Sequence, residues 1–354
     1  MNQEFDMRTF RPEAVGELAQ FLREEYPSGE ISDERYLSWE YLDNPSGKAI
    51  VTTARNSEKK IVAQYALAPV QVYADGEMLP ATLSLNTLTA DGYRGRGLFK
   101  ATANAAFNYC AKNGFGFTFG VPNRNSFSGF VKRLNFNHAG NLAFMAAPLK
   151  PLKIISSIIK GRKQKKGAQI EISMDEEVLE GNSVSFLRFP FDEERHRSFL
   201  NLWNKQGYIS VHRSPAFLQW RYVQNPLRKY ELIKLEESGE IKAIAVIRCM
   251  HLYGMKVCLV MDHISLDKKY SGKLFSVMSE ELKRNNLELM IAVAASKQAA
   301  QHGQFVHSGF WNVPSFLLPQ QLPFITRIHN GFEKLSRLND LKNWHFSFGD
   351  YDVF

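Results

Sequence analysis

The sequence is poor in cysteine, and the few it has form no pattern. Cys110, Cys249 and Cys258 are the only three in 354 residues. An odd number at wide spacing excludes a disulfide framework and a thiolate metal centre. They read as small buried hydrophobes of a reducing compartment, and the cytoplasm is the expected location. Long apolar runs are missing as well. No stretch nears the ~18–20 residues of a membrane-spanning helix, and the opening MNQEFDMRTFRPEAVGELAQ has neither the basic start nor the apolar core of a signal peptide. The Gly-x-x-x-x-Gly-Lys-Ser/Thr string of a Walker loop is absent. The net charge of +8 is not a distributed basic surface. The stretch KPLKIISSIIKGRKQKKG holds Lys150, Lys153, Lys160, Arg162, Lys163, Lys165 and Lys166 with no acid, and the rest of the chain is close to neutral. A nucleic-acid partner is therefore not expected, and neither is a metal.

What is present is a globular composition, 44% hydrophobic and 23% charged, at a length that suits two domains. An internal repeat divides it. YLSWEYLDNPSG begins at Tyr36 and FLQWRYVQNPLR at Phe217, so Trp39, Tyr41, Asn44 and Pro45 match Trp220, Tyr222, Asn225 and Pro226 at an offset of 181. Around each string the element order repeats: strand, helix, the Trp string, several strands, then strand, loop, helix and strand. GLFKATANAAF is echoed by KLFSVMSEELK, and the LNF ending at Phe136 by the SGF ending at Phe310. The pattern predicts an α/β (α+β) fold with two tandem domains, each a set of strands flanked by helices. The expected division is 1–147, a linker over 148–170, 171–325, and a tail over 326–354 that packs on the domains. Two readings of the linker stand. It is a solvated helix docked by its isoleucines, or it attaches to an anionic membrane surface through its seven cations, each worth ~1 kcal/mol near acidic lipid.

The string DGYRGRGLFK, residues 91–100, sits between an apolar strand-like run and a helical one. A solvated turn is one reading of it. The other is a phosphate cradle. Gly95 and Gly97 can adopt conformations closed to other residues, the amides of the new helix lack partners, and the helix dipole favours an anion there. Arg94 and Arg96 add positive charge.

Arg94-Gly95-Arg96-Gly97-Leu98-Phe99 resembles the acyl-CoA loop of the GCN5-related N-acetyltransferase (GNAT) superfamily, Arg/Gln-x-x-Gly-x-Gly/Ala, with Phe99 in place of the last small residue. FTFGVPNRNSFSGFVKRLNF is similar to the strand and helix that follow that loop in the family. The resemblance covers residues 5–145, and more weakly 180–315. It implies a twisted, mixed, mainly antiparallel sheet in each domain. It also implies that acetyl-CoA or another acyl-CoA is a co-substrate held by Leu88, Thr89, Arg94, Gly95, Arg96, Gly97, Leu98, Phe99, Asn123 and Asn125. In the second half YRGRGLF becomes KYSGKLF, so Tyr270, Ser271 and Lys273 replace the residues of the cradle, and only the first half is expected to bind CoA.

For catalysis, the family's usual tyrosine acid falls at Val131. His138, Glu34, Glu40 and Asp43 each read as solvated or structural. Asp350 and Asp352, two apart in NWHFSFGDYDVF, would share one face of an extended segment and could hold an acceptor ammonium. The competing reading is an exposed tail. The expected function is transfer of an acyl group, acetyl in the simplest case, to a small-molecule amine. An amino sugar or its nucleotide-linked form is preferred, because tandem GNAT proteins of this kind occur among bacterial surface-polysaccharide genes. Two alternatives remain: aminoacyl transfer of the paired-GNAT peptidoglycan type, and a non-catalytic acyl-CoA-binding protein. If Asp350 and Asp352 are not the catalytic pair, Tyr41, Asn86 and Asn125 around the first cleft are the next candidates.

Overall fold

The structure is a computed structural model and describes residues 5–9, 14–27, 29–159, 169–172, 177–179, 182–186, 192–318, 320–329, 332 and 335–351. Lys160, Arg162, Lys163, Lys165, Lys166 and Asp352 lie outside the described residues. In chain order the first strands are β1 (Asp6–Thr9), β2 (Ile50–Arg55), β3 (Ile61–Ala74), β4 (Glu77–Thr89), β5 (Phe117–Gly120), β6 (Asn137–Asn141), β7 (Ala143–Pro148) and β8 (Glu177–Leu179). The later ones are β9 (Asn182–Phe186), β10 (Ser210–Val211), β11 (Glu231–Glu237), β12 (Glu240–Leu252), β13 (Met255–Ser265), β14 (Leu289–Ala294), β15 (Trp311–Asn312) and β16 (Pro323–Ile328). The helices are α1 (Val15–Glu25), α2 (Glu34–Tyr41), α3 (Leu98–Lys112), α4 (Arg124–Leu134), α5 (Pro151–Ile159), α6 (Glu193–Asn204), α7 (Pro215–Leu218), α8 (Lys268–Arg284) and α9 (Ala300–His307). None is long and apolar enough to cross a membrane among the described residues.

The chain divides into two compact units. Unit 1 comprises Met1–Gly140, Gln224–Arg228 and Leu322–Asp340; unit 2 comprises Asn141–Val223, Lys229–Gln321 and Leu341–Phe354.

In unit 1 the strands run in the order β1-β2-β3-β4-β5-β16-β6. β3 and β4 form a long hairpin closed by Asp75 and Gly76, both at positive φ, as a two-residue turn between right-twisted strands requires. Successive side chains of the sheet feed opposite faces. Val51, Ala66 and Leu88 pack under α1 and α2 with Leu18, Leu22 and Leu37. Ile50, Tyr65 and Leu67 pack under α3 and α4 with Ala103, Phe107 and Phe130. Both faces are covered, which is why β3 is buried through its first ten residues and shows no polar alternation.

In unit 2 the order is β15-β7-β14-β13-β12-β11-β9-β8, with β13 and β14 parallel and the other pairings antiparallel. Leu274, Phe275, Met278 and Leu282 of α8 join Phe305 of α9 over Ala245, Ile247 and Val260. The structure thus has two mixed sheets flanked by helices.

Each sheet is completed by a strand from the other half of the sequence. β16 enters unit 1 between β5 and β6, where Ile325 pairs with Gly120, Phe324 stacks on Phe119 at 5.8 Å between ring centroids, and His329 Nε2 meets Thr118 Oγ1 at 3.0 Å. β7 enters unit 2 between β14 and β15. The strand that completes unit 1 therefore comes from the end of the 171–325 stretch. A chain ending at residue 147 lacks that strand and leaves the edge of β5 unpaired. Expressed alone, it is expected to be insoluble or non-cooperative in thermal unfolding, and a soluble fragment with a sharp transition would refute the requirement for β16.

Candidate functional site

The site begins where two strands separate. β4 and β5 pair in parallel only through Ala81–Phe117, Thr82–Thr118 and Leu83–Phe119. Beyond these pairs β5 ends at Gly120 while β4 runs on to Thr89, held on its other side by β3. The register of β3 against β4 slips between Gln64 and Ala66, and the extra residues of β4 form a bulge. Asn86 sits there at φ 45°, a left-handed conformation that asparagine tolerates better than most residues. Its amide Nδ2 donates to Glu40 Oε2 at 2.6 Å and to the Tyr41 hydroxyl at 3.1 Å, and its carbonyl accepts from Gln64 Nε2 at 2.7 Å. Glu40, Tyr41 and Gln64 are buried. The sequence placed Glu40 on a solvated helix face. It is instead one of the groups that pin the bulge.

The Arg-Gly-Arg-Gly loop follows. A 3-10 turn, Asp91–Tyr93, leads to Gly95 and Gly97, both at φ 80°. Gly97 is the N-cap of α3 and offers no side chain to the first-turn amides, and that turn carries no acid. A Cβ built at Gly95 or Gly97 would meet nothing within 4 Å, so the left-handed backbone, not crowding by the protein, requires glycine. Arg94 Nε donates to the Thr89 carbonyl at 3.2 Å, and Arg94 pairs with Asp91 at 2.5 Å in an exposed position. The Arg96 guanidinium lies over the Tyr93 ring, 5.3 Å from its centroid.

Across the gap, Asn123 caps α4 by accepting from the amides of Asn125 and Ser126, both at 3.0 Å. Between the loop and this helix lies an open cleft of ≈ 590 Å³. Of the residues singled out from the sequence, Leu88, Thr89, Arg94, Gly95, Gly97, Leu98, Phe99, Asn123 and Asn125 line it, and Arg96 does not. Lining residues not anticipated include Tyr26, Lys100, Ser126, Gly129 and Arg133. Asn125, Gly129 and Arg133 are four apart, a helical stripe on α4 that the spacing contained. Gly129 also explains Phe99. A Cβ at Gly129 would lie 3.2 Å from the Phe99 ring, so the missing side chain there makes room for the large residue in the loop. Arg94, Lys100 and Arg133 are the charged residues of the lining, and among the described residues no carboxylate belongs to it.

Val131 packs against the aromatic cluster of Tyr65, Phe107 and Phe130, where it has no proton to give. Asp350 belongs to unit 2. It ends a 3-10 turn, Phe348–Asp350, rather than lying extended, and is 4% exposed. Its Oδ2 accepts from Arg213 at 2.7 Å and from the Ser347 amide at 2.8 Å, while Arg213 also grips Asp262 at 3.1 and 3.2 Å.

Residues 7–139 match the acetyltransferase (GNAT) domain model. No curated protein matches the chain. Among solved structures, a GCN5-related N-acetyltransferase from Anabaena variabilis has a TM-score of 0.59 at 14% identity, covering 92% of this chain and 73% of that one. A probable N-acyltransferase from Enterococcus faecalis gives 0.62 at 11%, covering 92% and 72%. The Saccharomyces cerevisiae N-myristoyltransferase with bound myristoyl-CoA gives 0.59 at 11%, covering 92% and 83%. At these identities the likeness is one of fold. Two GNAT-like sheets account for the two units.

Burial pushes the Asp350 carboxyl up to about 6, against the pull of Arg213 and with Asp262 adding to the rise. The native state therefore takes up this proton at a higher pH than the unfolded chain. The stability it contributes is full near pH 4 and is lost as pH rises through 6. Asp350→Asn is expected to remove that slope. The melting temperature of the parent relative to the variant should fall by several degrees between pH 4 and 7, since about 1 kcal/mol is worth roughly 2–4 °C in a unit of this size. Parallel melting curves across that range would place the proton elsewhere.

Proposed function

We propose that unit 1 binds an acyl-CoA in this cleft and transfers its acyl group, acetyl in the simplest case, to an amine. The observation that carries the reading is the cleft itself. It has three cations and no carboxylate, and it opens on the uncapped start of a 15-residue helix entered through two left-handed glycines. Such a helix start presents unpaired amides and the positive end of its dipole to a pyrophosphate. The edge of β4 beyond Leu83, released by β5, offers backbone groups to the amides of a pantetheine arm. The acyl end would then lie by the bulge that Asn86, Glu40 and Tyr41 hold. Attack by a neutral amine expels a thiolate that must gain a proton. Val131 cannot supply it, and among the cleft residues the hydroxyls of Tyr26, Thr87, Thr89, Tyr93, Ser126 and Ser128 are the available donors or anchors for water.

The acceptor class we put first is an amino sugar or its nucleotide-linked form, which rests on the resemblance to tandem GNAT proteins. The free, buried cysteines fit a cytoplasmic enzyme. We read the two units as copies of which only the first kept its loop. In unit 2, α8 already begins at Lys268, the Asp267 side chain accepts from the Lys269 amide, and Tyr270, Ser271 and Lys273 lie within the helix. A carboxylate thus stands at the helix start, where an anion would otherwise bind. A second reading, a non-catalytic acyl-CoA-binding protein, is favoured by Val131 alone.

Calorimetry with CoA is expected to give one site per chain. Gly97→Val should weaken binding by about tenfold or more and lower the melting temperature by a few degrees, because the side chain strains the left-handed backbone, with the fold intact by circular dichroism. Undiminished affinity in that variant, or two sites per chain, would overturn the assignment. Mass spectrometry of the purified protein for co-bound acyl-CoA would name the acyl group. Tight CoA binding with no turnover against a panel of amines and amino sugars would favour the binding-protein reading.

A further inference from the structure

β15 and the loop after it expose three large apolar side chains in seven positions: Trp311 at 70%, Phe316 at 83% and Leu317 at 65%. The sequence has no Asp, Glu, Lys or Arg between His307 and Arg327. The loop is nonetheless a defined structure. Phe310 is buried in the core of unit 2, which turns Trp311 outward on the edge strand. The Val313 amide donates to the Phe144 carbonyl at 2.9 Å, and a 3-10 turn, Ser315–Leu317, closes its own bonds from Leu317 to Pro314 and from Leu318 to Ser315. A tip whose amides bond internally can enter a poorly hydrated medium without stranding donors.

Exposed positive charge lies past the C-terminal end of β7, on the Trp311 side of the patch, since β15 runs antiparallel to β7 and carries Phe316 and Leu317 the other way. Trp311 pairs with Ala146 of β7, and α5 begins just past the end of that same strand. Leu152 on α5 is 83% exposed, with Lys153 exposed next to it and Lys150 just before the helix.

We propose that unit 2 docks on an anionic lipid bilayer, with Trp311, Phe316 and Leu317 entering the interface and Lys153 of α5 meeting the headgroups. Trp and Phe are the side chains that settle at the boundary between headgroups and acyl chains. An uncharged tip avoids the cost of burying ions, and nearby cations add about 1 kcal/mol each at an acidic surface. The inference is independent of acyl transfer by unit 1.

The full-length protein is to be sedimented with vesicles of phosphatidylcholine mixed with phosphatidylglycerol, and with phosphatidylcholine alone. Binding is expected to the mixed vesicles and to fall with added salt. Replacing Trp311, Phe316 and Leu317 together by Ser should weaken it by about tenfold or more, and Lys153→Glu by a similar factor, with circular dichroism unchanged in both. Brominated lipid should quench tryptophan fluorescence in the parent and not in Trp311→Phe, which still sediments. The proposal is overturned if the parent does not bind, binds both vesicle types equally, or binds undiminished after the triple replacement. It is also overturned if the parent forms a dimer that the triple variant lacks and neither sediments with vesicles, since a second copy would then cover the patch.

Discussion

The candidate site depends on one constraint: β4 and β5 stay paired for only three residues. Had the ladder continued past Leu83, the backbone edge of β4 would be used up and there would be no gap between the start of α3 and the start of α4. Two local devices hold the gap open. On the β3 side, the bulge at Asn86 is fixed by three hydrogen bonds to buried partners, so β4 bends without fraying. On the β5 side, Asn123 stops the chain and turns it into α4. The Tyr65 hydroxyl, bonded to Ser84 Oγ at 2.9 Å beneath the point of separation, is fully buried, and burial holds it in its neutral form well above the usual tyrosine range.

Unit 2 contains a related arrangement with reversed electrostatics. In unit 1 the first of the two repeated strings, YLSWEYLDNPSG, gives Glu40 and Tyr41, which meet an asparagine of the long strand. In unit 2 the corresponding string gives Arg221 and Tyr222. The Tyr222 hydroxyl donates to Asp262 at 3.2 Å, and Arg221 donates to the carbonyls of Gly349 and Tyr351 at 3.0 and 3.1 Å. The chain end fills this place so closely that a Cβ at Gly349 would fall 1.9 Å from the Tyr222 oxygen. Here glycine is needed for space rather than for backbone conformation. Two buried carboxylates, Asp262 and Asp350, share Arg213, and Oδ1 of Asp350 has no hydrogen-bond partner among the described residues.

The parts of this molecule that were legible in the sequence are those encoded locally. Gly95 and Gly97 announce a left-handed turn before an apolar helical run, and both the turn and the helix are there. The helix-forming stretch after Pro148 is also a helix, α5. The capping role of Asn123 and the stripe of Asn125, Gly129 and Arg133 are also local, and emerged only once α4 was in place. What was not legible depends on residues far apart in the chain. Nothing around Asp350 in the sequence signals Arg213, 137 positions earlier. The acid reads as one of a catalytic pair with Asp352, or as an exposed tail residue, until that partner is known. Phe99 looks like a misfit in its loop until Gly129 is found opposite. The exchange of β7 and β16 is invisible because a strand of either half carries the same alternation whichever sheet receives it.

That exchange also sets an order of events during synthesis. The sheet of unit 1 lacks β16 until residues 323–328 have left the ribosome. At a rate of about 5–20 residues per second, most of unit 1 waits roughly 10–40 s after its own first 140 residues have been made. Throughout that interval β5, with its buried Phe117 and Phe119, has an open edge. The nascent chain is then a substrate for any holding factor that recognises extended apolar segments. A stall or premature stop anywhere between the two strands yields a product with an unfinished sheet rather than a working first domain.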